Sequence, residues 1–519
     1  MKYIILLASI VLFTSCKTKI TEQEIIQKHL TLEETLQLML SPEYQQTLGI
    51  DEQGRNLLYA YYEQRNFKPL WTSKEGLNEI GTALHHLLQT PIQFGLSKKR
   101  FDLNWSDSVA LQNELAIVCG LARSYKDLHY GMSDSTLEVL KPNRYVPLNS
   151  LDTLLDFSQK KYAEKIIAWG PADTNYHTLA NYLFTFVQQN DITSIPATIK
   201  PENQDSTNTR ALTQQFLVQH HYLDSLQQDD SLSFVRALRR FQEKNWVNPT
   251  GKIDNETVQA LNETNLHKAQ RIALEMEKIR RKEKSPKRYF LINIPEYKLR
   301  LYNEDTLCSE HTIVVGKLEN QTPELKSKLH TIVAYPFWNV PYSIASKEIL
   351  PAAQANPNYF DRNNMVLLRN KDTINPYKVK WGKIKKNSFP YKVVQQPGPK
   401  NSLGVLKFEF HSKYDVYFHD TPSKNYFKKI AKTYSHGCIR TENPLELAKI
   451  VLELDENPVT ADSLDSLMLL PLKHHKIPIK NRIPIFIEYH TVVITPEKEV
   501  VLLRDIYFRD DKYIYGLDL

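Results

Sequence analysis

Apolar residues recur with two different periods along this 519-residue chain. From residue 17 to about 170 the period is helical. DEQGRNLLYAYYEQRNFKPLW carries apolar and aromatic residues at helical spacing and stops at Pro69. NEIGTALHHLLQTPIQFGL repeats the pattern until Pro91 and Gly95, with His85 and His86 as surface or packing residues. ALQNELAIVCGLARSYKDLHYG predicts a third helix closed by Gly131. The segment DITSIPATIKPENQDSTNTR then turns polar, a linker signal. Beyond it Phe234, Leu238 and Phe241 line one helix face. NPTGKID bends at Gly251, and Asp254 or Asn255 can cap a helix that points Val258 and Leu261 inward. Residues 265–284 predict a charged amphipathic helix. From Tyr289 the period drops to two: RYFLINIPEYKLRLY reads as a hairpin around Pro295–Glu296, and HTIVVG and KLHTIVAYPFWNVP follow as strands. Residues 343–395 break this regime with a long polar insertion, and RDIYFRDDKYIYGLDL reads as a closing strand and tail.

Length and composition refine the picture. The chain is too long for one core, and 41% hydrophobic with 24% charged residues describes folded domains, not a disordered chain. A net charge of +7 suits an anionic neighbourhood such as a wall or lipid headgroups. It does not point to nucleic acid, because no basic tract is interleaved with aromatics. The densest basic run, KIRRKEKSPKR at 278–288, reads as a solvated helix end and linker. MKYIILLASIVLFTSC has the charged start and short apolar run of an export signal, and it ends on a cysteine after small residues. No other stretch is long and apolar enough to cross a membrane.

Of the four cysteines, Cys119 lies in an apolar helix and reads as a buried hydrophobe. Cys308 follows a strand-like segment, and a disulfide between these two is neither required nor excluded. Cys438 sits in YSHGCIR among groups that do chemistry. A thiol needs a base or positive potential to become a nucleophile, and His436, Arg440 and the loop and helix dipoles ahead of ENPLELAKIVL could supply it. Asn443 can cap that helix and Pro444 suits its first turn. His419, 19 residues upstream at a strand end, is a second candidate base. Gly437 permits close backbone approach, and its amide and that of Cys438 could face an oxyanion. A metal site drawn from His411, His419, Asp420, His436 and Cys438 is the rival chemistry, but no ligand pair has a short helical or C-x-x-C spacing. A purely structural cysteine or an unrelated thiol hydrolase are further alternatives.

SHGCIR, preceded by VYFHDTPS, PGPKNSLGVLKFEF and YPFWNVPYSIASKEILP, resembles the L,D-transpeptidase (YkuD-like) catalytic domain, most closely its large YcbB-type members. Residues 208–264 resemble a peptidoglycan-binding module, and the N-terminus resembles a bacterial lipoprotein signal with Cys16 as the lipidated residue. The resemblance implies a multidomain α+β chain: signal 1–15, helical scaffold 16–190, helical peptidoglycan-binding module 208–264, linker helix 265–285 and a β-rich catalytic domain 286–519 with a lid at 343–395. It implies Cys438 as nucleophile and His419 as base, with the backbone carbonyl of Asp420 orienting the imidazole. His436 and Gly437 would shape the acyl site. Arg440, Tyr417, Trp338, Ser435 and Asp420 would form the substrate side. The reaction would be transfer of a tetrapeptide stem, with loss of D-Ala, to an amine of a second stem, without metal or cofactor. Partners would be peptidoglycan stems and glycan and a membrane reached through Cys16, with other wall-synthesis enzymes left open; the location would be the periplasmic face of the envelope, lipid-anchored. An L,D-carboxypeptidase and a non-catalytic wall-binding lipoprotein are the alternatives.

Overall fold

The structure is a computed structural model that describes residues 30–42, 52–101, 105, 110–132, 155–157, 161–194, 198–200, 206–227, 230–469 and 473–519. The signal segment 1–15 and Cys16 lie outside the described residues. The chain divides into two compact units: 1–193 with 265–282 and 511–519, and 194–264 with 283–510.

The first unit is helical, built from Leu32–Leu40, Glu52–Glu63, Glu79–Gln89, Ala110–Tyr130, Tyr162–Ile167 and Thr174–Gln189. A buried carboxylate organises it. Glu114 accepts from the Tyr62 hydroxyl at 2.9 Å, Trp71 N at 2.9 Å and the Thr72 hydroxyl at 2.8 Å, so its lone pairs are satisfied away from water. Cys119 is buried and unbridged, and burial pushes its thiol up to about 12. Cys308 is also a free thiol.

Two expectations change here. The helix Asn265–Arg280, expected as a linker, belongs to this unit, with Arg271, Glu275, Glu277 and Arg280 buried, while residues 281–284 beyond it are exposed. Arg280 is tolerated there because Glu277 at 2.8 Å, the Tyr176 hydroxyl at 3.1 Å and Gly95 O at 2.9 Å pair its guanidinium. The chain end forms the helix Asp510–Gly516, not a closing strand. Its alternation of aromatic and polar residues fits either period over so short a stretch.

In the second unit, helices Ser206–Gln219, Ser231–Lys244 and Asn255–Leu261 close a small core of Leu217, Phe234, Leu238, Phe241 and Leu261. Asp254 caps the third by accepting from Thr257 N at 2.9 Å. Buried Gln242 ties the intervening turn to Gly251 N at 2.8 Å, and Gly251 takes φ +70° as the bend requires.

The remainder of this unit is a barrel. Strands β1 (Arg288–Asn293), β2 (Lys298–Asn303), β3 (Thr306–Gly316), β4 (Leu325–Ala334), β5 (Trp338–Asn339), β6 (Met365–Arg369), β7 (Asp372–Ile374), β8 (Lys392–Gln395), β9 (Leu406–Phe410), β10 (Phe418–His419), β11 (Thr433–Ser435), β12 (Ile439–Thr441) and β13 (His475–Glu488) follow in chain order. The large sheet runs β11-β3-β12-β10-β9-β4-β13-β1-β2, and a β2–β3 pairing closes it. Inward residues Phe290, Ile292, Leu299, Leu301, Phe408, Phe418 and Ile439 are fully buried, while Lys407 and Glu409 alternate outward on β9. Helix Pro444–Leu454 covers one side with Leu447, Ala448, Val451 and Leu452. Asn443 does not cap it: the residue takes the left-handed conformation, φ 50°, and its side chain makes no capping bond. β5, β8, β6 and β7 form a separate small sheet in the order β5-β8-β6-β7. With Ile349, Leu350, Phe360, Trp381 and Val393 as its own core, this lobe spans the inserted segment and begins at Trp338.

Register in β13 is held at its irregularity between Pro478 and Ile483 by Asp455, which accepts from Lys480 N at 2.9 Å and Asn481 N at 2.8 Å. Asp455→Ala leaves both amides without that acceptor and is expected to cost about 1–3 kcal/mol. Denaturant titration of the full chain measures this, and an unchanged midpoint would contradict the register role.

Candidate active site

β10 and β12 are short, but they pair in parallel with Phe418 opposite Ile439 and His419 opposite Arg440. Ile439 N donates to Tyr417 O at 3.1 Å and extends the ladder by one residue. Cys438, one step before β12, therefore lies beside Tyr417, one step before β10. Ser435, His436, Gly437 and Cys438 form the turn from β11 into β12. Gly437 takes φ +112°, which a side chain would strain, and a β-carbon there would face the carbonyl oxygens of Asn320 and Gln321. The expected position of Cys438 just ahead of a helix is corrected by this arrangement. Strand β12 intervenes, so the first helical residue, Pro444, comes six positions after Cys438.

His419 is buried, and its Nδ1 lies 2.5 Å from the carbonyl oxygen of Asp420. That contact fixes the tautomer: Nδ1–H donates and Nε2 keeps its lone pair. Burial, then the Arg440 guanidinium and Lys407, push His419 down to about 3, against the opposing pull of the Asp420 carbonyl. The imidazole is neutral at pH 7.

Cys438 is partly exposed, and its Sγ lies 3.7 Å from Asp415 O. Burial raises the thiol, while the Tyr417 backbone and hydroxyl, Lys407 and Arg440 act to lower it. The resting pair is thus a neutral thiol and a neutral imidazole, not an ion pair. Tyr417 is held by Lys407, whose Nζ lies 4.0 Å from its ring centroid, and by the His419 ring, which meets it edge-on, with the Trp338 indole close to its hydroxyl. Arg440 makes no salt bridge among the described residues and lies 5.7 Å from the Tyr426 ring centroid, so its charge is open to an anionic ligand.

The other sequence-predicted residues divide. His436 does not reach the thiol; its Nε2 meets Glu348 Oε1 at 2.6 Å, on the π-turn Ala345–Ile349 of the inserted lobe. Ser435 is buried, donates to Cys438 O at 2.5 Å and accepts from Gly437 N at 3.1 Å, so it holds the turn and is not free for substrate. That bond also occupies the Gly437 amide, which leaves the Cys438 N–H of the two expected donors. The Asp420 carboxylate accepts from Val405 N at 3.0 Å and pairs with Lys424, so it too is structural and not a substrate contact. Among the described residues no group of three His, Cys, Asp or Glu could hold a metal, and His419, His436 and Asp420 turn to different partners. Glu348, Lys407 and Thr322 were not signalled by the sequence; Thr322 lies in the loop after β3 and bonds the carbonyl of Gly437 at 3.0 Å.

A thiol on a strand-linked turn, with a neutral imidazole oriented by a backbone carbonyl on the strand paired beside it, is the equipment of a cysteine acyltransferase. Residues 287–462 match the YkuD family model, "L,D-transpeptidase catalytic domain". Residues 56–183 match "Scaffold domain" and residues 206–261 match "Putative peptidoglycan binding domain". A curated relative from Haemophilus influenzae, "Putative L,D-transpeptidase", is 34% identical over 220 residues, 42% of this chain and 44% of the relative. The alignment thus spans under half the relative's length. Successive parts of the chain thus match a scaffold domain, a peptidoglycan-binding module and an L,D-transpeptidase catalytic domain.

His419 also carries a stability consequence. As pH falls through about 6.5 the unfolded imidazole binds a proton, while the folded one does not until about 3. Stability therefore falls with decreasing pH across that window, by about 1.4 kcal/mol per unit at most. His419→Gln is expected to flatten that slope in denaturant titrations between pH 6.5 and 4.5; an identical slope would mean His419 is readily protonated in the fold.

Proposed function

We propose that this chain is a peptidoglycan L,D-transpeptidase that makes 3→3 cross-links. Cys438 attacks the carbonyl before the terminal D-Ala of a tetrapeptide stem. The thiol proton passes to Nε2 of His419 as the S–C bond forms, so neither group needs to be charged beforehand. The carbonyl oxygen becomes an oxyanion facing the Cys438 N–H. Its collapse breaks the C–N bond, His419 returns the proton to the departing D-Ala nitrogen, and a thioester remains. An amine of a second stem then attacks the thioester, loses its proton to His419 and regenerates the thiol.

The observation that carries this reading is the buried His419, its Nδ1 engaged by the Asp420 carbonyl, on the strand paired beside Cys438. Arg440, unpaired by any carboxylate, suits a substrate carboxylate, and Tyr417 and Trp338 give the pocket an aromatic wall held against the thiol. The inserted lobe, with Glu348 reaching His436, acts as a lid that favours an amine over water. The helical module binds glycan. Asn248 of that module accepts from Ala431 N at 3.2 Å, and its Glu256 pairs with Arg504 at 2.6 Å, so it is attached near the β11 end of the site. Lipidation at Cys16 anchors the enzyme on the periplasmic face of the envelope, and a carbapenem acylates Cys438.

Incubation of residues 17–519 with a disaccharide-tetrapeptide is expected to give a cross-linked dimer lacking one D-Ala, with no product from Cys438→Ala. D-Ala loss without a dimer would indicate an L,D-carboxypeptidase, and binding to sacculi without any reaction would indicate a wall-binding lipoprotein. Deleting 343–395 is expected to raise hydrolysis relative to transfer in the same assay; an unchanged ratio would remove the lid role.

A further inference from the structure

The carbonyl of Gly437 and the amide of Cys438 belong to one peptide unit, and no peptide bond among the described residues is cis. In a trans unit the C=O and N–H point in opposite directions. Whatever holds the Gly437 oxygen therefore aims the Cys438 hydrogen. That holder is Thr322, fully buried, whose hydroxyl donates to Gly437 O at 3.0 Å. The hydroxyl cannot turn elsewhere, because it accepts from Gly316 N at 2.9 Å. Thr322 is itself fixed: its N–H donates to the Tyr507 hydroxyl at 3.1 Å, and that hydroxyl donates to Gly316 O at 2.7 Å. Tyr507 N in turn donates to the Tyr489 hydroxyl at 2.8 Å, and the Tyr489 hydroxyl donates to Asp505 at 2.5 Å. At the other end of this network, the Cys438 N–H makes no hydrogen bond within the protein among the described residues.

We propose that Thr322 is a positioning residue for acyl transfer, locking the Gly437–Cys438 peptide so that the Cys438 N–H is preset toward the tetrahedral oxyanion. The inference rests on the transpeptidase reading above and deepens it. A preset donor adds its stabilisation only when the carbonyl oxygen becomes negative, so it acts on the chemical step more than on substrate binding.

Two reactions of the same thiol separate this role from a merely structural one. Acylation by a carbapenem, or by a tetrapeptide stem with release of D-Ala, passes through an oxyanion. Alkylation by iodoacetamide displaces iodide at carbon and forms none. Thr322→Val keeps the shape and removes the hydroxyl. It is expected to lower the acylation rate and kcat for D-Ala release about 10- to 100-fold, with KM near the starting value. Iodoacetamide labelling of Cys438 should stay within about twofold, which also reports an intact fold. Thr322→Ser should recover most of the loss. Tyr507→Phe, which loosens the loop one step away, should lower acylation about 3- to 10-fold with labelling unchanged, and it provides the test if Thr322→Val does not fold. Acylation unchanged in Thr322→Val or Tyr507→Phe would overturn the inference, as would acylation and alkylation falling together or Thr322→Ser failing as badly as Val. A wild-type protein that forms no acyl-enzyme would overturn the transpeptidase reading itself, and this inference with it.

Discussion

The pairing of β10 with β12 is the constraint on which the site depends. Both strands are only two or three residues long, and neither would hold a register alone. Their neighbours hold it for them. Phe408 of β9 pairs antiparallel with Phe418, and Val314 of β3 pairs with Arg440. Phe418 and Ile439 are fully buried in the barrel core. A slip of one residue would carry both side chains out of the core and His419 away from Cys438, so the apolar packing and the catalytic geometry are specified together.

Charge then decides what that geometry can do. His419 and Cys438 share Arg440 and Lys407 as positive neighbours, and both are desolvated. Positive charge would favour a thiolate, but burial works against it and also keeps the imidazole neutral. The result is a neutral pair, which suits the proton transfer during attack proposed above. The surrounding polar groups are spent on holding positions: the Asp420 carboxylate on Val405 and Lys424, the Ser435 hydroxyl on the Gly437 amide and Cys438 carbonyl. Arg440 has no carboxylate partner among the described residues, which suits the substrate role proposed for it.

Much of this was legible in the sequence where signals were local. Phe234, Leu238 and Phe241 fall on one helix face, Asp254 caps, and the hairpin around Pro295–Glu296 forms as its alternation requires. The motif around Cys438 and the strand-end His419 were visible because their residue types are uncommon together. What the sequence hid depends on contacts across long separations. Thr322 and Gly437 are 115 residues apart, and Glu348 and His436 are 88 apart. Neither Thr322 nor Glu348 has a local pattern that marks it. Short segments misled for the opposite reason: Pro444 opens the helix as expected, but the turn out of β12 puts Asn443 at φ 50° and its side chain makes no cap. The basic run after residue 277 is exposed at Arg281, Lys282, Lys284 and Lys287 as expected, and its one buried member, Arg280, was hidden because its partners Tyr176 and Gly95 lie far upstream.

The most direct test of the central claim is the mass of the intact protein, acid-quenched within seconds of mixing with a disaccharide-tetrapeptide. A thioester intermediate predicts an increment equal to the donor minus D-Ala, located on the peptide containing Cys438 and removed by hydroxylamine. An unmodified protein while D-Ala is being released, or an increment on any other residue, would contradict the account.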